Sequence, residues 1–170
     1  LKIGRIKGIA RPALAPVLPT VEGGSVLLID CGANVDCKPN MLEQFALMGN
    51  AYMKAVYNME SPRVGLLSNG TEDIKGNQLT KETFELLKNA PLNFVGNMEA
   101  RDITSGKYDV VVCDGFVGNV ALKASEGIAV MMLKMIKREV YSSLKTKLGG
   151  ALLKGSFNKI RSLMDYNQSG

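Results

Sequence analysis

Four short apolar runs decide what this chain can fold into. Val26–Asp30 (VLLID) and Asp109–Cys113 (DVVVC) are apolar with almost no interruption, and Val64–Ser68 (VGLLS) and Asn93–Gly96 (NFVG) repeat the pattern more weakly. A strand that is apolar at successive residues has both faces covered, which is the situation of a parallel sheet packed under helices. The segments between the runs carry helical periodicity. Met41–Tyr57 places Leu42, Phe45, Ala46, Tyr52, Met53 and Val56 on one stripe, with Gly49 leaving room there for a close neighbour. Thr80–Asn89 opens on Thr80 as an N-cap candidate and presents Thr83, Phe84 and Leu87, with Leu86 to one side. From about Asn119 a long helical pattern continues to about Leu148. Strand–helix–strand alternation predicts right-handed crossovers, and so a three-layer α/β/α architecture with a mainly parallel sheet.

The rest of the chain frames this core. Residues 1–25 read as a connector, because Pro12, Pro16 and Pro19 exclude a helix interior or a central strand. Residues 26–127 read as the strand and helix core, and 128–165 as the long helix with a basic amphipathic segment, all within one α/β domain over 1–170. The chain opens on Leu1 and closes on Asn167-Gln168-Ser169-Gly170, which reads as a fragment of a longer product. No uninterrupted run of 18 apolar residues occurs, so no membrane-spanning helix is predicted.

Charge is unevenly spread. Residues 1–40 carry a net +2, residues 41–133 a net −3 and residues 134–170 a net +6. Val140, Leu144, Leu148, Leu152 and Leu153 continue an apolar face through the basic block, and Phe157, Ile160, Leu163 and Met164 follow a break. Lys137, Arg138, Lys145, Lys147, Lys154, Lys159 and Arg161 supply the cationic side, and Gly149-Gly150 interrupts it. Such a block suits an anionic partner or an ordinary solvated face. With no Trp and no recognition motif, nucleic-acid binding is not expected.

Histidine is absent, which removes Ser-His and Cys-His catalysis and His-ligated metal sites. Cys31, Cys37 and Cys113 are too few, and wrongly spaced, for a zinc site, and an odd count without a visible leader gives the expectation of a reduced, intracellular setting. No cofactor or metal is expected, although Asp30, Asp36 and Asp114 are of a type that can hold a divalent cation.

In parallel sheets ligands bind at the carboxyl ends of the strands, so the loops leaving them are informative. These are Cys31–Pro39, Asn69–Thr80, Asn97–Asp102 and Asp114–Asn119, all containing Gly or Asn with charged residues. Glycine admits a ligand to the backbone, asparagine donates without charge, and helices beginning beyond the loops favour an anion. Turn formation explains any one such loop equally well. Neither GxGxxG nor GxxxxGK[ST] occurs, so nucleotide binding of those kinds is not indicated.

The ordered set RPALA from Arg11, LPT from Leu18, LIDCGAN from Leu28, DCKP from Asp36, QFALMG from Gln44, PRVGLL from Pro62, KGN from Lys75 and VVCDGFVGN from Val111 resembles the bacterial phosphate acyltransferases of phospholipid synthesis along the whole chain. The resemblance implies transfer of a fatty acyl group from acyl carrier protein to inorganic phosphate, giving an acyl phosphate used by a membrane glycerol-3-phosphate acyltransferase. It further implies an isocitrate/isopropylmalate dehydrogenase-like fold, a homodimer, and a cytoplasmic protein peripherally associated with anionic membrane.

Residue chemistry and loop position, not the resemblance, give the site assignments. Lys38, Lys75 and Asn34 are candidates to cradle phosphate, Asn77 and Asn119 to donate to the thioester carbonyl, and Asp114 to orient a lysine or simply to cap a helix. Gly76, Gly115 and Gly118 are candidate backbone contacts to phosphate or acyl group. Leu148, Leu152 and Leu153 with Lys145, Lys147 and Lys154 are the candidate membrane-interface group, protruding from the domain. The stripe Ile128, Met132, Met135, Ile136, Val140 and Leu144 is the candidate dimer face. The alternatives are a phosphate acetyltransferase-like enzyme using acyl-coenzyme A and a non-catalytic membrane- or protein-binding fragment.

Overall fold

A computed structural model describes residues 9–163. The chain divides into two compact units, Leu1–Asn119 and Val120–Gly170.

The first unit is built on five strands: β1 (Val17–Pro19), β2 (Ser25–Ile29), β3 (Arg63–Leu67), β4 (Asn93–Met98) and β5 (Val110–Val112). Their order across the sheet is β1-β2-β5-β3-β4. The β2–β5, β5–β3 and β3–β4 pairs are parallel, and β1 runs antiparallel to β2 at one edge. The expected mainly parallel sheet is therefore present. The connector reading of residues 1–25 needs correction at β1. Prolines bar a central strand but not an edge one, and Pro16 takes part only as an acceptor, its carbonyl receiving the Leu28 N–H at 3.0 Å.

Two helices cover one face. They are α1 (Pro39–Tyr57), between β2 and β3, and α2 (Gln78–Lys88), between β3 and β4. Leu27, Ile29, Val64, Leu66, Val110 and Val112 point to this face and pack with Leu42, Phe45, Ala46 and Met53 of α1 and Phe84 and Leu87 of α2. Gly49 has the expected use: a Cβ there would lie 2.6 Å from Val110 Cγ1, so its absence lets α1 sit close on β5. Tyr52 and Val56 lie off the buried face and are exposed, while Tyr57 at the end of α1 packs against the core. The start of α2 also differs from expectation. Asn77, not Thr80, is the N-cap, its Oδ1 accepting the Thr80 N–H at 2.9 Å. On the other face Tyr108 and Met98 close over Gly65.

At the amino edge of the sheet Asp109 is buried and clamped by Arg63, whose Nε and Nη2 donate to its two oxygens at 2.9 and 2.8 Å. Burial pushes this carboxyl up, but the Arg63 hydrogen bonds and charge outweigh it and hold it below the ordinary value.

Helix α3 spans Gly115–Val140, so its first turn belongs to the first unit. Two shorter helices follow, α4 (Leu144–Leu152) and α5 (Lys154–Leu163). The single long helix read to about Leu148 is interrupted after Val140. Ser143 caps α4 in a capping box with Thr146, which the Ser-Leu-Lys-Thr spacing encodes. Gly149 and Gly150 lie inside α4, and a Cβ on Gly150 would overlap Val140 Cγ1. This glycine therefore serves the packing of α4 against the end of α3. Ile128, Met132, Met135, Ile136, Leu144, Leu148, Leu152 and Leu153 are all exposed. Lys145, Lys147 and Lys154 are exposed as well. The side chains of Arg161 and Leu163, and Met164 altogether, lie outside the described residues.

By length and composition α3 could cross a membrane, which the count of uninterrupted apolar residues did not anticipate. An average over 18 residues tolerates a pair such as Lys123–Glu126, where an uninterrupted run does not. The first turn of α3, however, is fixed in the sheet-bearing unit through Gly115 and Gly118.

Candidate functional site

The carboxyl ends of β3 and β5 open into a cavity of about 490 Å³. Its walls are Leu42 of α1, Leu67, Ser68 and Asn69 at the end of β3, Gly76, Asn77 and Thr80 at the start of α2, and Cys113, Asp114 and Val117 at the end of β5. Two helices begin here, so the positive ends of two helix dipoles meet at one concavity. An anion is what such a place favours.

Of the residues singled out from sequence, Gly76, Asn77 and Asp114 line this cavity. Asn77 spends its Oδ1 on the α2 cap, which leaves its amide nitrogen as the group able to donate to a ligand. Asp114 caps α3, Oδ1 accepting the Val117 N–H at 2.8 Å, and it pairs with no lysine among the described residues. Gly76 adopts φ +107°, and a Cβ there would overlap Thr80 Oγ1, so the tight turn into α2 needs glycine.

Asn34, Gly115 and Gly118 belong to a clasp beside the cavity. Asp30 lies fully buried at the end of β2 and accepts four hydrogen bonds. Its Oδ1 takes Leu14 N at 2.9 Å and Ala33 N at 3.2 Å. Its Oδ2 takes Asn34 N at 2.7 Å and Asn34 Nδ2 at 2.8 Å. Asn34 Nδ2 also donates to Pro12 O at 2.8 Å, so this amide is committed to the loop. The Gly115 N–H donates to Asn34 O at 2.7 Å, and a Cβ on Gly115 would lie 2.6 Å from that oxygen. A Cβ on Gly118 would overlap the Asp30 carbonyl oxygen and reach within 2.8 Å of Cys113 Sγ. Both glycines therefore permit backbone contact between loop 30–34 and the first turn of α3. Asn119 sits against Gly32, its Oδ1 3.9 Å from where a Cβ would be.

The two lysines stand at loop ends. Lys38 is exposed at the N-cap of α1, and Lys75 is exposed with its stem over Gly70, where a Cβ would lie 2.8 Å from Lys75 Cγ. Neither wall of the cavity is formed by them.

All three thiols are raised above their ordinary value. Burial first, and the Asp30 charge second, push Cys31 up to about 12. Burial raises Cys37 and lifts Cys113 well above the ordinary thiol value. Cys113 lines the cavity, but a thiol kept protonated is a poor nucleophile.

Two residues matter to which the sequence assigns no role. Ser68 Oγ is buried at the cavity wall with no hydrogen-bond partner among the described residues. Its position directly after the β3 run was the available signal. Asn97, at the end of β4, is buried and donates from Nδ2 to Glu72 O at 2.9 Å.

A family profile described as fatty acid synthesis protein matches residues 1–170. Phosphate acyltransferase from Bacillus cereus (strain B4264) is 52% identical over 168 residues, which cover 99% of this chain and 51% of that protein. Phosphate acyltransferase from Oceanobacillus iheyensis is 55% identical over 168 residues, with the same coverage of 99% and 51%. The chain thus spans about half the length of the curated relatives it matches. A phosphotransacetylase from Streptococcus pyogenes superposes with a TM-score of 0.56 at 20% identity, over 73% of this chain and 44% of that one, a likeness of fold.

Proposed function

The chain belongs to the fatty acid synthesis protein family, and on that premise we propose that its cavity serves acyl transfer from a carrier thioester to inorganic phosphate. The observation that carries this reading is the cavity at the sheet edge where two helices begin, lined by the polar side chains of Ser68, Asn69, Asn77 and Thr80 with Asp114 capping one of the helices. A phosphate oxygen attacks the thioester carbonyl carbon, a C–O bond forms and the C–S bond breaks. The proton of hydrogen phosphate passes to the departing thiol, so neither histidine nor an acyl-cysteine intermediate is required. Asn77 and Asn119 are the proposed donors to the carbonyl oxygen, and Lys38 and Lys75 the proposed phosphate cations. Ser68 Oγ offers a further hydrogen bond at the wall.

In this reading the donor is acyl carrier protein, an acidic partner suited to the basic block, and the acyl phosphate goes on to a membrane glycerol-3-phosphate acyltransferase. The full-length protein is expected to consume acyl carrier protein thioester only when phosphate is present, and faster than acyl-coenzyme A. Lys75→Ala and Lys38→Ala should each lower turnover at least about tenfold, equivalent to about 1.4 kcal/mol of transition-state stabilisation. Unchanged kinetics in either variant would remove that lysine from the site, and phosphate-independent turnover would overturn the reaction.

The second unit supports a finer proposal: a homodimer through the exposed stripe of α3, and peripheral attachment of a cytoplasmic protein to anionic membrane through α4. Leu148, Leu152 and Leu153 are 69%, 83% and 53% exposed, a poor arrangement for side chains left in water. Lys145, Lys147 and Lys154 are exposed in the same segment, each contributing about 1 kcal/mol near an anionic surface, screened by salt. Light scattering should return twice the chain mass for the full-length protein. Leu152→Glu with Leu153→Glu should abolish co-sedimentation with anionic vesicles while soluble turnover persists. Vesicle binding that survives the double change would assign this face to carrier-protein docking instead.

A further inference from the structure

We propose that Asn97 is a positioning residue that fixes the loop between β3 and α2, and through it Lys75, for phosphate capture. The proposal rests on the acyl-transfer reading above and adds to it a residue from β4, a strand that does not reach the cavity wall.

Loop 69–77 has little of its own to hold it. Within it the Lys75 N–H closes a turn onto Glu72 O at 3.0 Å. That same carbonyl oxygen accepts Asn97 Nδ2 at 2.9 Å, using both of its lone-pair directions. Among the described residues, Asn97 is the one side chain from outside the loop that hydrogen-bonds residues 69–76. It therefore grips the atom that closes the Lys75 turn.

The backbone of β4 is shaped to deliver this side chain. Val64 pairs with Phe94, but Leu66 pairs with Asn97, so β4 carries one extra residue over that interval. Gly96 supplies the bulge at φ +98°. With an uninterrupted register Gly96 would face Leu66, and Asn97 would fall on the opposite side of the sheet. The bulge moves Asn97 onto the face that carries α1 and α2, where the loop leading into α2 lies.

Burial makes the assignment more specific. Asn97 is 3% exposed, and its Oδ1 has no partner among the described residues. An apolar side chain would fill this site without an orphaned acceptor. The amide is thus justified by its one donor, and that donor acts on the loop. The Asn97 side chain is not in the cavity wall, so it touches no substrate directly and works through the loop.

The test uses the full-length protein and Asn97→Ala, with Asn97→Ser as a milder second variant. Phosphate KM should rise at least about tenfold while the thioester KM stays within about twofold, since only one substrate depends on Lys75. Adding Asn97→Ala to Lys75→Ala should cause no further loss, because the two changes remove the same contribution. Independently of activity, hydrogen exchange at the Lys75 amide should lose protection while β2 and β5 keep theirs. A phosphate KM within about twofold of the parent, or fully additive losses, would overturn the proposal. So would a loss of protection spread through the sheet in both variants. Should the parent show no phosphate-dependent turnover at all, the acyl-transfer reading fails. The exchange at Lys75 then still decides whether Asn97 holds the loop.

Discussion

Gly118→Ala is expected to lower the stability of the full-length protein by about 3 kcal/mol, read as a shift in the denaturant midpoint. The new methyl group would overlap the Asp30 carbonyl oxygen and stand 2.8 Å from Cys113 Sγ. Neither obstacle can rotate away cheaply. The first is backbone, in a loop whose carboxylate is tied by four N–H donors, and the second is a buried thiol that itself donates to Asp30 O at 3.4 Å. The strain must separate the first turn of α3 from loop 30–34, and that carries Cys113 and Asp114 out of the cavity wall. Turnover should therefore fall along with stability. Gly127→Ala in the same helix is the control, because nothing lies within 4 Å of its Cβ position. That change should stabilise by up to about 1 kcal/mol, the difference in helix propensity. A Gly118→Ala protein within about 1 kcal/mol of its parent would show that the close approach is not needed.

What the sequence disclosed and what it hid divide along physical lines. The strands β2 and β5 and the buried stripe from Leu42 to Met53 were legible because each is a local pattern, an apolar run or a 3.6-residue period. The edge strand β1 was hidden by its prolines, which weaken a strand only where an N–H is required. The α1 stripe is narrower than its period suggests at Tyr52 and Val56, since periodicity gives the direction of the buried face but not its width. Asn77 and Thr80 are both good caps, and only the backbone decides between them. The interruption at Tyr141–Ser143 was legible as Ser143 and Thr146 at capping-box spacing, but the continuing apolar period masked it. At the site, the glycine-rich strand-end loops identified the right edge of the sheet. The sequence did not separate residues that face the cavity, such as Asn77 and Asp114, from those that hold the loops, such as Asn34, Gly115 and Gly118. Asn97 was hidden more deeply, because its role depends on a one-residue bulge that no pattern of residue types announces.

Asp30→Asn should be nearly as damaging, at about 3 kcal/mol, although it changes one atom and keeps the shape. All four groups around the carboxylate are donors: the N–H groups of Leu14, Ala33 and Asn34, and the Asn34 side-chain amide. An asparagine offers one acceptor oxygen and one NH2, so whichever way it is turned, two donors meet a donor. Hydrogen bonds to a charged group contribute about 1.5–3 kcal/mol each, and a buried donor left without an acceptor loses its hydration as well. Water cannot make good the loss, because the side chain is 0% exposed. The effect should be local before it is global. The amides of Leu14 and Asn34 should exchange faster at denaturant concentrations where β2 and β5 remain protected, since Asp30 is the acceptor of both N–H groups. Phosphate-dependent turnover should drop with it, because Gly115 and the Asp114 cap hang on the Asn34 carbonyl that this carboxylate positions. An Asp30→Asn protein with parental stability and unchanged exchange at Leu14 would mean that the loop is held by its glycine contacts with α3.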